Sequence, residues 1–109
     1  MASENIDVPV ENILYLESNH RTMIMHLINH PRKDFHFYAS ITLMEDALSP
    51  IGFLRVHKSY LVNMEYIEIL QYGKVRLKNS VELPVSKNNY TEIKQQYISW
   101  RGGHRWNIG

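Results

Sequence analysis

Short apolar runs broken by polar couplets make up most of the chain, and many of them alternate in steps of two. Ile6, Val8 and Val10 alternate with polar or small neighbours and predict a short first strand over residues 5–10. Pro9 suits an edge there, because proline cannot donate to a ladder. Ile13-Leu14-Tyr15-Leu16 is apolar at consecutive positions, as expected of a strand buried on both faces over 12–17. Asn19-His20-Arg21 interrupts it as a loop, and residues 22–28 resume as a strand. After the polar connection His30-Pro31-Arg32-Lys33-Asp34, Phe35 and Phe37 alternate with His36 and Tyr38 in a further strand. The second half repeats the theme over 53–57, 60–62 and 66–72. The turn at Gly73-Lys74 follows, then Val75-Leu77 and Val81-Leu83-Val85 on either side of a two-residue hairpin at Asn79-Ser80.

Two segments change period. Thr42-Leu43-Met44-Glu45 has the form of a capping box, and Leu43, Met44, Ala47 and Leu48 give a helical apolar stripe that Pro50 and Gly52 end. A second helix is predicted from Asn89-Tyr90-Thr91-Glu92, with Tyr90, Ile93 and Tyr97 on one face. Residues 101–109 have no period, and the tail over 99–109 is expected to be flexible. The predicted core is Ile13, Tyr15, Leu16, Phe37, Leu43, Leu48, Phe53, Val56, Leu61, Val62, Ile67, Leu77 and Val85. The whole, residues 1–109, reads as one domain of mostly short strands with a small central helix.

Composition narrows the classes. An apolar fraction of 44% argues against disorder, and the lack of cysteine removes disulfides and thiolate metal sites. No apolar run approaches the roughly 18 residues of a membrane span and no signal peptide opens the chain, so a cytoplasmic location is expected. The net charge of +1 is uninformative, but its distribution is uneven. Glu4, Asp7, Glu11 and Glu17 fall in the first seventeen residues without a lysine or arginine, leaving twelve basic against seven acidic residues afterwards. That balance fits either a basic face for nucleic acid or an uneven surface.

Catalytic readings find little support. His26 and His30 have metal-binding spacing only on a helix, and they stand in a strand-like run that Pro31 closes. His57 and Ser59 suggest a base and a nucleophile, yet no glycine elbow surrounds the serine and no anionic partner is evident. No glycine spacing matches a phosphate-cradling loop, and no cofactor is implied. The most informative stretch is residues 52–63. There Phe53, Val56, Leu61 and Val62 interleave with Arg55, His57, Lys58, Ser59 and Asn63. The apolar members can anchor a strand pair while the others donate to phosphate oxygens or base edges, or they form an ordinary polar outer face.

Arg55-Val-His-Lys-Ser-Tyr-Leu-Val-Asn63 resembles the signature of the LytTR family, the DNA-binding domains of bacterial response regulators. Three further blocks follow the family's order: Ile13-Leu14-Tyr15-Leu16-Glu17-Ser18, Tyr38-x-Ser40-Ile41-x-Leu43 and Leu83-Pro84-Val85-Ser86-Lys87. The likeness covers roughly residues 6–98. It implies a mostly β fold, an elongated stack of small antiparallel sheets with one short central helix and a short C-terminal helix. It also implies that loops at sheet edges enter successive major grooves of double-stranded promoter DNA; because one small domain offers few base contacts, two copies on a repeated site are expected. A receiver domain N-terminal to this chain is a further partner the family allows.

The loops so implicated are Asn19-His20-Arg21, Lys58-Ser59 and Lys87-Asn88. His20 suits a base edge or is a solvent-exposed turn histidine. Arg21 suits phosphate, or guanine if it reaches the groove; Lys58 suits either. Asn88 either pairs with adenine or caps the C-terminal helix. Ser59, Lys87 and Arg55 are assigned to the DNA backbone. Arg32, Lys33 and the row Lys74, Arg76 and Lys78 are either supplementary phosphate contacts or solvated charge. The competing function is a protein-interaction or dimerisation module on the same scaffold; an enzyme is not expected.

Overall fold

A computed structural model describes residues 7–104. Its strands are β1 (Ile13–Asn19), β2 (Thr22–Leu27), β3 (Asp34–Tyr38), β4 (Phe53–His57), β5 (Tyr60–Asn63), β6 (Ile67–Gln71), β7 (Lys74–Leu77) and β8 (Glu82–Pro84). Its helices are α1 (Ile41–Leu48) and α2 (Tyr90–His104). The strands form two antiparallel sheets, one of five strands in the order β3-β2-β1-β5-β4 and one of three in the order β6-β7-β8. The body is elongated, 54 × 32 × 25 Å. No helix in the described residues is long and apolar enough to cross a membrane.

The apolar run of β1 serves two cores. Ile13 and Leu16 pack with Met23, Leu27, Phe35, Phe53, Leu61 and Ile41 of α1 on one face of the large sheet. Leu14 and Tyr15 pack on the other face with Leu54, Val56 and Val62, against Ile67, Val75, Leu77, Leu83 and Val85 of the small sheet and Ile93 of α2. Pairing with β2 slips between Ile13 and Tyr15. A bulge there turns two consecutive residues to one side, which is why the faces do not alternate strictly.

Several predicted elements differ. Within residues 7–12 there is no strand: Val10–Asn12 is a turn of 3-10 helix, and the earlier part of the expected strand lies outside the described residues. The cap of α1 is Ser40, whose Oγ accepts from the backbone N–H groups of Thr42 and Leu43 at 3.2 and 3.4 Å; Thr42 lies inside the helix. Starting the helix at Ile41 rotates its stripe. Ile41, Met44 and Leu48 face the sheet, while Leu43, expected in the core, is 67% exposed. Phe37 and Leu48 line the edge of the core. The connection after β7 is longer than a two-residue hairpin. Leu77 N–H bonds Val81 O, and the three intervening residues include Ser80 at φ 72°. Finally, α2 continues to His104, so residues 99–104, expected as flexible tail, are helical; residues 105–109 lie outside the described part.

Candidate nucleic-acid interface

The β1–β2 hairpin and the β4–β5 turn share one end of the large sheet, because β1 and β5 are antiparallel neighbours with Glu17 opposite Tyr60. The hairpin turns at His20-Arg21, the other at Lys58-Ser59. Ser18 N–H donates to Ser59 O at 2.8 Å and fastens the hairpin stem to the turn. On the far side, Ser86 N–H donates to Val56 O at 2.8 Å and brings the segment after β8, with Lys87 and Asn88, to the same strand. All three predicted loops are therefore tied to one strand pair, with Lys58 central.

Each loop presents its side chains differently. His20 and Arg21 are exposed, and His20 adopts φ 59°. A residue other than glycine is uncommon in that left-handed region, although histidine is among those that enter it more readily. Lys58 is exposed and Ser59 half-buried. Lys87 and Asn88 are exposed. Because α2 begins at Tyr90, the cap position falls to Asn89; Asn88 precedes it, and its side chain makes no hydrogen bond among the described residues.

Arg55, expected at the DNA backbone, is half-buried and its guanidinium is engaged within the protein. Its Nε donates to His57 O at 3.0 Å, Nη2 to Lys58 O at 2.7 Å and Nη1 to Glu45 Oε1 at 2.9 Å. The β4–β5 register slips between Arg55 and His57. That bulge lets the guanidinium curl beneath the turn and hold both carbonyls against α1. Glu45, expected as a capping-box partner, is used here instead.

His57 is a second brace. Its Nδ1 accepts from Ser59 N–H at 3.1 Å, so the His57–Ser59 relation closes a turn and involves the serine backbone, not its hydroxyl. Burial first, then the charges of Lys58 and Arg55, hold the ring's pKa below its usual value. A depressed histidine pKa means the unfolded chain binds more protons in the window just below the ordinary value of 6.5. The neutral ring's contribution is therefore complete above that window and is lost as pH falls through it. His57→Asn, whose Oδ1 can replace Nδ1 as acceptor, is expected to lose less thermal midpoint than the wild type between pH 7.5 and pH 5. Equal losses in the two proteins would remove His57 from the account.

Behind the turn the ring of Tyr15 stacks on His26 at 4.1 Å, and His26 bonds Glu17 at 2.9 Å. Burial and the nearby Glu17 push the Tyr15 hydroxyl up to about 12. His30 Nδ1 accepts from Arg32 N–H, so His26 and His30 have separate partners. No three His, Asp or Glu side chains converge among the described residues.

Lys74 and Arg76 are matched to Glu82 at 3.5 Å and Glu68 at 2.8 Å, and Arg32 lies 3.8 Å over the Phe35 ring. Arg21, Lys58 and Lys87 have no carboxylate partner among the described residues, and neither do Lys33, Lys78 and Lys94 outside these loops. Sequence reasoning located these loops but missed the bracing of Arg55 and the burial of Asn63, which is 3% exposed. Neither left a signal in the sequence, since both depend on partners brought near by the fold.

The fold and site define a class: a β scaffold that offers cations without carboxylate partners and a turn histidine at positive φ on linked loops. The chain belongs to the LytTr DNA-binding domain family, whose model matches residues 3–98. No curated protein sequence matches it. Its fold is similar to a solved LytTr DNA-binding domain from Bacillus cereus, from a protein described as a methyl-accepting/DNA response regulator. The TM-score is 0.70 at 21% identity, over 85% of this chain and 86% of that one.

Proposed function

We propose that the domain binds double-stranded promoter DNA sequence-specifically, as the output module of a bacterial transcription regulator, with the three linked loops entering the major groove. One observation carries this reading: three cations without carboxylate partners, Arg21, Lys58 and Lys87, lie on loops joined to the β4–β5 strand pair, whereas Lys74 and Arg76 on β7 are matched to Glu82 and Glu68. Family membership supports DNA as the polyanion. In this reading His20 and Lys58 face base edges. Arg21, Ser59 and Lys87 contact phosphates, Asn88 flanks them, and Arg55 acts through the turn it holds. One domain of this size offers few base contacts, so two copies on a repeated site supply the specificity; a cytoplasmic receiver N-terminal to this chain is the further partner the family allows. A protein-interaction module is less well supported, because the exposed aliphatic side chains Leu43, Ile51 and Ile98 are scattered over α1, the turn after it and α2, and the exposed rings nearest these loops, Tyr38 and Tyr72, carry hydroxyls beside cationic turns.

Selection of bound sequences from a random duplex pool tests the reading. An enriched half-site with fixed spacing is expected; binding no tighter to any enriched duplex than to random DNA would sink it. On the enriched duplex, Lys58→Ala weakens binding about tenfold, within the range of a base contact. His20→Gly, which removes the ring without adding strain at positive φ, weakens it several-fold. Both should leave the thermal midpoint nearly unchanged, as measured by fluorescence titration and thermal denaturation.

A further inference from the structure

The turn between β6 and β7 belongs to the small sheet and to none of the loops above, yet it is shaped around one of their side chains. Gly73 there has φ +85°, and a Cβ added to it would lie 3.0 Å from Lys87 Cε and within 4.0 Å of its Cγ and Cδ. The lysine stem therefore runs across the bare glycine. Its Nζ ends 5.7 Å from the centroid of the Tyr72 ring, within the range of a cation–π contact. That ring is itself held edge-on by Tyr90 of α2, centroids 5.6 Å apart at 87°. The glycine carbonyl accepts from Val85 N–H at 3.1 Å, which fixes the turn to the segment carrying Lys87. Tyr72 is nevertheless 64% exposed, more than an aromatic ring that served only the core would be.

We propose that Tyr72 and Gly73 are positioning residues that cradle Lys87 and hold its ammonium extended for a DNA phosphate. A free lysine stem samples many rotamers and loses that freedom when its head is fixed; a stem already laid along a glycine and capped by a ring loses less. The ring lies to one side of the ammonium and leaves its N–H groups free to donate. The inference rests on the reading of Lys87 as a DNA contact, and it assigns the small sheet a part in binding: orienting a cation that a neighbouring segment supplies.

Gly73→Ala is a poor probe, since alanine at that φ is strained whatever it touches. Tyr72 is the clean one. Affinity for a random-sequence duplex and for the duplex enriched by the wild-type chain is measured for Tyr72→Leu, Tyr72→Thr, Tyr72→Phe, Lys87→Ala and the double variant Tyr72→Leu/Lys87→Ala, with thermal midpoints alongside. Tyr72→Leu and Tyr72→Thr are expected to weaken binding about three- to tenfold, while Tyr72→Phe, which keeps the ring, stays within about twofold. The double variant should bind no worse than Lys87→Ala alone, a coupling that a general loss of stability does not produce. If Lys87→Ala weakens binding and the ringless variants do not, the cradle is overturned while the DNA role of Lys87 stands. If Lys87→Ala has no effect, that role falls and the cradle with it. Losses that add in the double variant make Tyr72 a separate contributor and also overturn the proposal.

Discussion

Asn63→Leu is expected to destabilise the domain by about 2–4 kcal/mol, although leucine is similar in size and more apolar. Asn63 ends β5 and is the one buried polar residue among the described residues. Its Nδ2 donates to Ile13 O at 2.9 Å and to Val10 O at 3.4 Å, and its Oδ1 accepts from Glu65 N–H at 3.1 Å. One amide therefore joins the chain before β1 to the turn of 3-10 helix at Met64–Tyr66, across more than fifty residues of sequence. Leucine would leave these backbone groups without partners where water has little access, and each orphan costs about 1–3 kcal/mol. Asn63→Asp should also destabilise, because it keeps the acceptor but turns a negative charge toward two carbonyl oxygens. For a domain of this length the leucine variant should lose roughly 10–25 °C of thermal midpoint. The folded fraction should still bind DNA as the wild type does, since Asn63 lies at the end of β5 away from the Lys58-Ser59 turn. A midpoint within 2 °C of wild type would show that the amide's bonds have easy substitutes.

The same block of sequence thus serves two purposes, and this marks how far the sequence could be read. The strand pattern was legible because side-chain alternation reports directly on burial: Phe53, Val56, Leu61 and Val62 are buried as expected. Turn positions were legible because polar couplets such as His20-Arg21 and Lys58-Ser59 interrupt apolar runs. The helix phase was not. Ser40 and Thr42 are both good caps, and only the packing of Ile41 against the sheet decides between them, leaving Leu43 outside. Asn63 and Arg55 look like their neighbours in the signature, all polar and all able to donate. What separates an inward donor from an outward one is a partner distant in sequence, Ile13 O for Asn63 and Glu45 for Arg55, and no local pattern carries that information. The helical stretch over 99–104 was missed for a related reason. Residues 101–109 show no apolar period and Gly102 and Gly103 lower intrinsic helix propensity, so no local pattern extends the helix to 104.

Arg55→Ala is expected to weaken binding to the enriched duplex by about thirty- to a hundredfold, more than Lys58→Ala. Lys58→Ala removes one side chain from the proposed interface. Arg55→Ala releases the turn that presents Lys58 and Ser59 together, because the carbonyls of His57 and Lys58 lose the guanidinium that holds them at 3.0 and 2.7 Å. Base contacts worth about 1–3 kcal/mol each require the donor in register, so loosening the turn discounts both residues at once. Arg55→Lys should not rescue. Three acceptors in three directions match the planar guanidinium fork, and an ammonium on a flexible stem cannot span them. A bracing role and a direct phosphate contact both predict a loss for Arg55→Ala, and Glu45→Ala separates them. If Arg55 touches phosphate and Glu45 merely competes for it, removing the carboxylate strengthens binding, as does deleting any negative charge near a polyanion. If Arg55 acts by bracing, its anchor on α1 at 2.9 Å is needed, and Glu45→Ala weakens binding although the domain becomes more positive. The bracing role predicts the second result, a loss of several-fold at unchanged thermal midpoint. Tighter binding by Glu45→Ala, read by fluorescence titration at fixed salt, would return Arg55 to the DNA backbone.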